Sequence, residues 1–444
     1  MIKKTKTIIV DSGRCSWGKC IFCSFSKKPN TQEASVERLK RGLDSALKED
    51  IFELKYLNSG SFLDEKQIPK EFRNYFFEKC NSSGISEVVV ECLPEHVNKN
   101  VLRDIKKRCK KVRVSFALGL EVADDKVLKK IMKSFDVKTY EKTVILLKKY
   151  GFGVRTYLMT NLPNVLEVKK SLEKSVDFAL KKSDSVAIIN TYPYGYSPLF
   201  SMWVERKWTP LDKNEFFDVC EKYKNNKKVE LFFDDYLTYP KFPDFLKQKI
   251  VGATSECLNH AHFDVWQEYF ERFYVVPSIK EYALFLPCAF RKPYSRSQTH
   301  KKILERLQGI ASYKKIHQIM ISTPGIIPRD FESKYPFESY DWPEWEETEK
   351  IKKEYIEVTK KRVKRYLLKH QYKKIFSYFK SESESFIALK DACAELKVPL
   401  ITLLDEKMYK EIKHMNNGKT PNAILTQRRL LDSFVKVLRK NIDD

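Results

Sequence analysis

Along the first half of the chain, short apolar runs alternate with longer charged segments whose apolar positions recur at helical spacing. Strand-like runs occupy Thr7–Val10, Phe52–Asn58, Ser86–Cys92, Val112–Leu120, Gly153–Leu162, Asp184–Thr191 and Val229–Phe233. Between them, Thr31–Lys48, Lys126–Ser134, Tyr140–Tyr150 and Val165–Lys182 carry the helical period. Repeated β–α units of this kind predict an α/β fold with a mostly parallel sheet, closed or half closed into a barrel. In such a barrel the chemistry gathers at the C-terminal ends of the strands.

From residue 236 the pattern changes. Tyr236–Phe245 is rich in aromatics and proline and reads as an irregular connection, so 1–235 is set apart as the barrel and 236–281 as its extension or linker. Residues 282–444 predict a second, smaller α/β domain. Its strands are Tyr282–Pro287 and Ile316–Ile321 and its helices Lys301–Gly309 and Glu344–Tyr378; Ala388–Leu396, Leu400–Leu404 and Ile424–Leu438 then finish the α/β domain with a basic terminal helix. The polar run Lys380–Ser385 interrupts this pattern, and there is no internal repeat.

Composition narrows the class. The 444 residues are 42% hydrophobic and 13% aromatic, which suits packed domains and excludes a disordered chain. The net charge of +24 favours a polyanionic partner, nucleic acid first, although a general lysine bias gives the same surplus. Lys360, Lys361, Arg362, Lys364 and Arg365 form one run dense enough to grip phosphates, and equally a solvated helix face. The apolar run near the N-terminus is too short for a signal peptide, and no uncharged stretch could span a bilayer. The expectation is a soluble protein of a reducing cytoplasm, with no membrane partner. Ten cysteines in a chain this long do not make a disulfide scaffold.

Three of those cysteines fall in the loop after the first strand: Cys15, Cys20 and Cys23. Two residues separate Cys20 from Cys23, so one tight turn can aim both sulfurs at one centre, and Gly13 and Gly18 loosen the backbone before them. Three thiolates without a local fourth ligand suit a [4Fe–4S] cluster that leaves one iron open to chelate S-adenosyl-L-methionine. The competing readings are a zinc knuckle, which wants four ligands, and three ordinary core thiols. The arrangement resembles the radical SAM superfamily, whose usual spacing is Cys-x3-Cys-x2-Cys; here the first gap is one residue longer.

Other strand ends carry small or acidic residues. Strand two runs into Asn58-Ser59-Gly60-Ser61, strand three ends at Glu91 and Cys92, and strand four at Gly119-Leu120-Glu121. With Cys15-Ser16-Trp17, Ser59–Asp64, Glu91-x-x-Pro94-Glu95, Asp125-x-Val127-Leu128, Gly153–Leu158 and Trp203–Arg206, residues 1 to about 270 resemble the archaeosine-biosynthesis radical SAM proteins (RaSEA). That resemblance implies that Cys15, Cys20 and Cys23 hold the cluster. It places Ser59, Gly60, Ser61, Glu91 and Glu121 around S-adenosylmethionine.

The second domain has its own loops of small, hydroxyl and basic residues. Pro287-Cys288-x-x-Arg291-Lys292-Pro293-Tyr294-Ser295-x-Ser297-x-x-His300 and Ser322-Thr323-Pro324-Gly325-x-x-Pro328-Arg329 resemble the core domain of archaeosine synthase. Asp330-Phe331 stands where that family has Glu-Leu. Arg291, Lys292, Arg296 and Arg329 suit phosphate, and Cys288, Ser322, Arg329 and Asp341 are the candidate catalytic residues. Cys257, His260 and His262 are zinc ligands by type, crowded into six residues without a fourth.

Together the resemblances imply a tRNA-processing enzyme of archaeosine biosynthesis. The family's catalytic half joins lysine to the nitrile of 7-cyano-7-deazaguanine in tRNA, a transferase step, and its radical half is a lyase that cleaves the adduct to archaeosine. Implied partners are tRNA, lysine or the lysine-modified deazaguanine nucleotide, an archaeosine synthase partner subunit and an external electron donor. The alternatives are a different radical tRNA modification with an RNA-gripping second domain, and a non-enzymatic, zinc-stabilised RNA-binding protein.

Overall fold

The computed structural model describes residues 4–25, 27, 35–415 and 421–442. The chain divides into two compact units, 1–241 and 242–444. Residues 242–281, set out above as extension or linker, pack within the second unit.

The first unit is built on seven strands: β1 (Thr5–Ile9), β2 (Glu53–Leu57), β3 (Glu87–Cys92), β4 (Arg113–Glu121), β5 (Gly153–Met159), β6 (Ser185–Ile189) and β7 (Val229–Phe232). They pair in sequence order, every pair parallel. This is the α/β half-barrel expected from the alternating pattern. Parallel neighbours require crossovers, and the intervening helices supply them. Tyr56, Val88, Val90, Phe116, Val154 and Ile188 lie on one face of the sheet, fully buried against these helices.

The other face is polar and shows that the sheet curls. The Lys55 ammonium on β2 stands 2.8 Å from the Glu230 carboxylate on β7, and Arg155 on β5 donates to the same carboxylate. Strands five places apart in the sheet can share a carboxylate only if the sheet bends round a lumen. Burial would raise Glu230, but the two cations outweigh it and hold the carboxyl below its usual range.

Helix starts follow local chemistry. The helix predicted over Thr31–Lys48 is Val36–Ala46, capped by Ser35; positions 31–34 lie outside the described residues. Asn98, Asp124 and Asp136 cap the helices Lys99–Arg108, Asp125–Lys130 and Val137–Lys149 in the same way.

The second unit contains β8 (Ile250–Val251), β9 (Tyr282–Pro287), β10 (Ile316–Ser322), β11 (Gly325–Pro328), β12 (Tyr340–Asp341), β13 (Lys374–Ser377) and β14 (Leu400–Thr402). β8 and β12 form a small separate pair. The main sheet has the order β11-β10-β9-β13-β14, with only β10–β11 antiparallel. From β9 the chain first adds β10 on one side and later β13 on the other. That reversal opens a crevice at the carboxyl end of β9, where ligands bind in sheets of this type.

One expected helix was too long. Glu344–Tyr378 resolves into a short turn at Glu344–Glu346, a helix over Glu349–Lys369 and strand β13. Lysines run on past the helix end and hide the boundary in the sequence. The pairing of β13 with β9 takes Lys374–Ser377 into the sheet, and His370, hydrogen-bonded to the Phe270 carbonyl at 2.8 Å, fixes the bend. Gln267 closes the edge of β11, its amide bonding both the N–H and the C=O of Ile326 at 3.0 Å. Among the described residues no helix is long and apolar enough to cross a membrane.

Burial holds four histidines of this unit neutral: His262 and His370 fall to about 4, His300 and His317 to about 3, from 6.5. Their depressed values mean that the unfolded chain binds more protons as pH falls below 6.5. Their contribution to stability is complete above 6.5 and shrinks as pH falls towards 4. Thermal denaturation of the second unit's transition should therefore show its midpoint falling from pH 7 to pH 5, the four histidines outweighing the opposite effect of Glu271, whose carboxyl burial raises to about 7. A flat profile there contradicts the buried, neutral assignment.

Candidate functional sites

The cysteine loop leaves β1 at the carboxyl rim of the half-barrel. Its backbone is stitched down on several sides: Ile21 N–H donates to Ile131 C=O at 3.1 Å, Ile21 C=O accepts from Leu199 N–H at 3.1 Å, and the Trp17 indole donates to Met132 C=O at 2.7 Å. Gly13 and Gly18 take φ of 91° and 61°, the left-handed region in which glycine carries no steric cost. Cys23 N–H closes a turn onto Cys20 C=O at 3.2 Å, and Lys27 donates to that carbonyl at 3.3 Å. The three thiols are half-buried and unbridged. Burial pushes Cys20 up to about 11; Lys133 works against this, while Glu121, Cys23 and Cys15 add to it. These groups therefore share one electrostatic neighbourhood. Among the described residues no three histidine, cysteine or acidic side chains stand ready-made around a metal, the cysteine triplet included.

The neighbouring rims bring together the other residues singled out in the sequence. The Glu91 carboxylate accepts the N–H groups of Asn58 and Ser59 at 2.9 and 2.7 Å, so it shapes the turn after β2. Burial raises its carboxyl and these N–H donors oppose the rise. Ser59 stands at φ 54°. Ser61 accepts from Leu93 N–H at 3.2 Å, and its own N–H donates to Gln67 at 2.8 Å. A side chain at Gly60 would displace the Gln67 amide that accepts from Ser61 N–H. Glu121 is paired with Lys133 at 2.7 Å, both side chains nearly covered. Burial alone would lower Lys133, but Glu121 and Cys20 outweigh it and raise it.

Sequence reasoning passed over Asn58, Ser12 and Lys133. The Asn58 amide and the Ser12 and Ser24 hydroxyls are buried without hydrogen-bond partners. Asn58 carried a signal, since it opens the small-residue turn after β2. Lys133 carried none; it is one lysine among many until the fold places it against Glu121.

In the second unit, Cys288 follows β9 directly and Ser322 ends β10, both at the crevice made by the strand reversal. Ser322 comes one residue after Ile321, which pairs with Pro287, so it stands beside Cys288 at the strand ends; it hydrogen-bonds the Tyr340 hydroxyl, which lies 2.6 Å from the Tyr294 hydroxyl. The Lys292 ammonium sits 4.0 Å from the centre of the Tyr340 ring. Burial raises Cys288, with Glu344 adding to it and Ser322 and Lys292 opposing it; burial also lowers Lys292, against the charges of Cys288 and Asp341.

Arg329 lies elsewhere. It faces Gln318 across the β10–β11 hairpin, about 13 Å along the strand from Ser322 at the usual rise per residue. Its guanidinium donates to Gln318 at 2.7 Å, Glu332 at 3.1 Å and His300 Nδ1 at 2.8 Å. Because arginine only donates, His300 Nδ1 accepts and its Nε2–H donates to Pro287 C=O at 2.9 Å. Glu332 also accepts from Ser295 N–H at 3.0 Å. Arg329 thus braces both ends of the Pro287–Ser295 loop, whereas Asp341 reaches the Cys288 neighbourhood only through its charge on Lys292.

Two further expectations have structural answers. Cys257 donates to Val251 C=O at 3.2 Å, His260 bonds Gln248 at 2.8 Å and caps His262 N–H, and His262 Nδ1 bonds the Tyr335 hydroxyl at 2.7 Å. These contacts hold a turn together. The basic run is largely neutralised: Lys360 and Lys364 pair with Glu395, and Arg362 is buried against Asp264 and the carbonyls of Thr323 and Leu258.

Residues 9–179 match the radical SAM superfamily, and residues 264–416 match a domain of unknown function, DUF5591. The first unit is accordingly a radical SAM domain, joined to a DUF5591 domain in the second. Among curated relatives, the archaeosine synthase subunit alpha of Thermoplasma acidophilum is 32% identical over 198 residues, covering 42% of this chain and 36% of that protein. The archaeosine synthase subunit beta of Methanosarcina acetivorans is 29% identical over 197 residues, covering 42% of this chain and 57% of its own length. The match thus spans about half, or less, of each relative's length. Among solved structures, a queuine lyase from Clostridium spiroforme bound to SAM and queuine aligns over 52% of this chain and 93% of its own at 18% identity, with a TM-score of 0.40.

The Glu121–Lys133 pair is a buried charge couple beside the cysteines. Removing one member strands the other, which costs about 3–5 kcal/mol. Lys133→Met should lower the urea midpoint of the first unit by that equivalent, and Glu121→Gln with Lys133→Met should recover part of the loss. Equal losses in the single and double variants contradict the pairing.

Proposed function

We propose that the chain is a tRNA-modifying enzyme of the archaeosine synthase type. In this reading the first unit is a radical SAM lyase that cleaves a lysine adduct of 7-cyano-7-deazaguanine in tRNA, and the second adds the lysine or binds the modified base. The observation that carries it is a loop of three unbridged thiols at the carboxyl rim of a seven-stranded parallel half-barrel. The names of the relatives support the choice of substrate, as does the surplus of cations.

Cys15, Cys20 and Cys23 would hold a [4Fe–4S] cluster, since three soft donors without a fourth leave one iron open. The unpartnered Asn58 amide and Ser12 hydroxyl offer hydrogen bonds to S-adenosylmethionine. Once bound, the cluster and S-adenosylmethionine supply a radical that removes hydrogen from the substrate. The chain's own residues do the rest. Glu91 sets the turn at Asn58–Ser61, Lys133 balances thiolate charge, and the rim loops exclude water. An external electron donor and a partner archaeosine synthase subunit belong to the same reading.

Anaerobic reconstitution should give roughly 4 irons per chain and broad absorbance near ~400 nm, both lost in the triple cysteine-to-alanine variant. With tRNA bearing the cyano base, lysine, S-adenosylmethionine and reductant, nucleoside mass spectrometry should detect archaeosine. Cys20→Ala should stop at the lysine adduct. Protein that takes up no iron and releases no 5′-deoxyadenosine overturns the lyase; the absence of any adduct overturns the transfer step.

A further inference from the structure

The crevice at the carboxyl end of β9 has features that a structural thiol does not need. Cys80, Cys92, Cys109, Cys220 and Cys393 are sealed in the interior, whereas Cys288 and Lys292 are only partly covered. Behind Cys288 a chain of hydroxyls runs inward, Ser322 to Tyr340 to Tyr294, all three buried. Lys292 stands over Tyr340, four residues along the loop from the sulfur. Close along the chain to Cys288 and to Tyr340 are two large exposed rings. Phe290, two residues from Cys288, is 81% exposed, and Trp345, next to the Glu344 whose charge reaches Cys288, is 78% exposed. Rings left in water beside a reactive group suit stacking on a planar base. The brace of Arg329, His300 and Glu332 fixes the loop that carries the thiol and the amine.

We infer that Cys288, Lys292 and the Ser322–Tyr340–Tyr294 hydroxyls form a second reactive centre, which takes a planar nitrile-bearing base and adds the Cys288 thiol across its carbon–nitrogen triple bond. The choice of nitrile rests on the lysine-transfer reading above. A sulfur–carbon bond forms as one carbon–nitrogen π bond breaks. The thiol proton leaves through Ser322, and Lys292 places a proton on the nitrile nitrogen, giving a thioimidate with no net change in oxidation state. An amine then attacks the same carbon, expels the sulfur and returns a proton to it, leaving an amidine. Phe290 and Trp345 hold the base, and Arg329 is a positioning residue.

The test uses the full chain with free 7-cyano-7-deazaguanine, without tRNA, iron, S-adenosylmethionine or reductant, read by intact mass. The expected result is a gain of one base mass that lysine chases off. Cys288→Ala and the near-isosteric Cys288→Ser should abolish the gain, and Cys257→Ala should keep it. Lys292→Met should form it about 10²-fold more slowly. No mass gain on the wild-type chain, or a gain that survives in Cys288→Ser, overturns the inference. Lysine transfer to cyano-tRNA that persists in Cys288→Ser overturns it while leaving the proposed function standing. Because the assay needs no cluster, failure of the radical reading leaves this result unaffected.

Discussion

The contacts of Glu230 register the curl on which the first unit depends. A sheet of seven parallel strands can lie open, in which case the loops at its two edges would be far apart. The carboxylate on β7, shared by Lys55 on β2 and Arg155 on β5, is satisfied only when the sheet bends round its own interior. Bending brings the carboxyl ends of β1 to β4 round one mouth, so a cysteine loop, a small-residue turn and two acidic strand ends become neighbours. Covering a charge is costly unless it is paired, and the two largely covered cations, Lys55 and Arg155, are both paired with the half-exposed Glu230.

At that mouth the protein separates residues that face a ligand from residues that shape the place for one. Glu91, Gly60 and Gln67 are committed to the turn after β2, and Glu121 to Lys133. Among the described residues, groups there with unused hydrogen-bonding capacity include Asn58, Ser12 and Ser24. The second unit divides its labour in the same way. Arg329, His300 and Glu332 spend their hydrogen bonds on one another and on the loop, while Cys288 and Lys292 stay within reach of solvent. In both units the arrangement that attracts attention by charge is the scaffold, and the smaller or softer group is the one left available.

Much of this was legible in the chain. The alternation of apolar runs and helical periods located all seven strands of the half-barrel within a few residues, because a parallel strand buried on one face and a crossover helix each leave a strong local period. The thiol triplet was visible because a two-residue gap is itself a local geometry. The end of the helix Glu349–Lys369 was not legible. Lysine continues through His370 into β13, and only pairing with β9 turns that basic stretch into a strand.

What the sequence determined, then, was the order of the elements, the cysteine loop after β1 and the Cys288 loop after β9, since each is a matter of neighbouring residues. Only the folded chain decided partners: that Arg329 braces a loop, that Arg362 is buried against Asp264, and that Tyr340 from β12 meets Ser322 and Lys292. Those contacts join residues tens to about a hundred positions apart. Their strength depends on burial and direction, and neither quantity exists until the strands have paired.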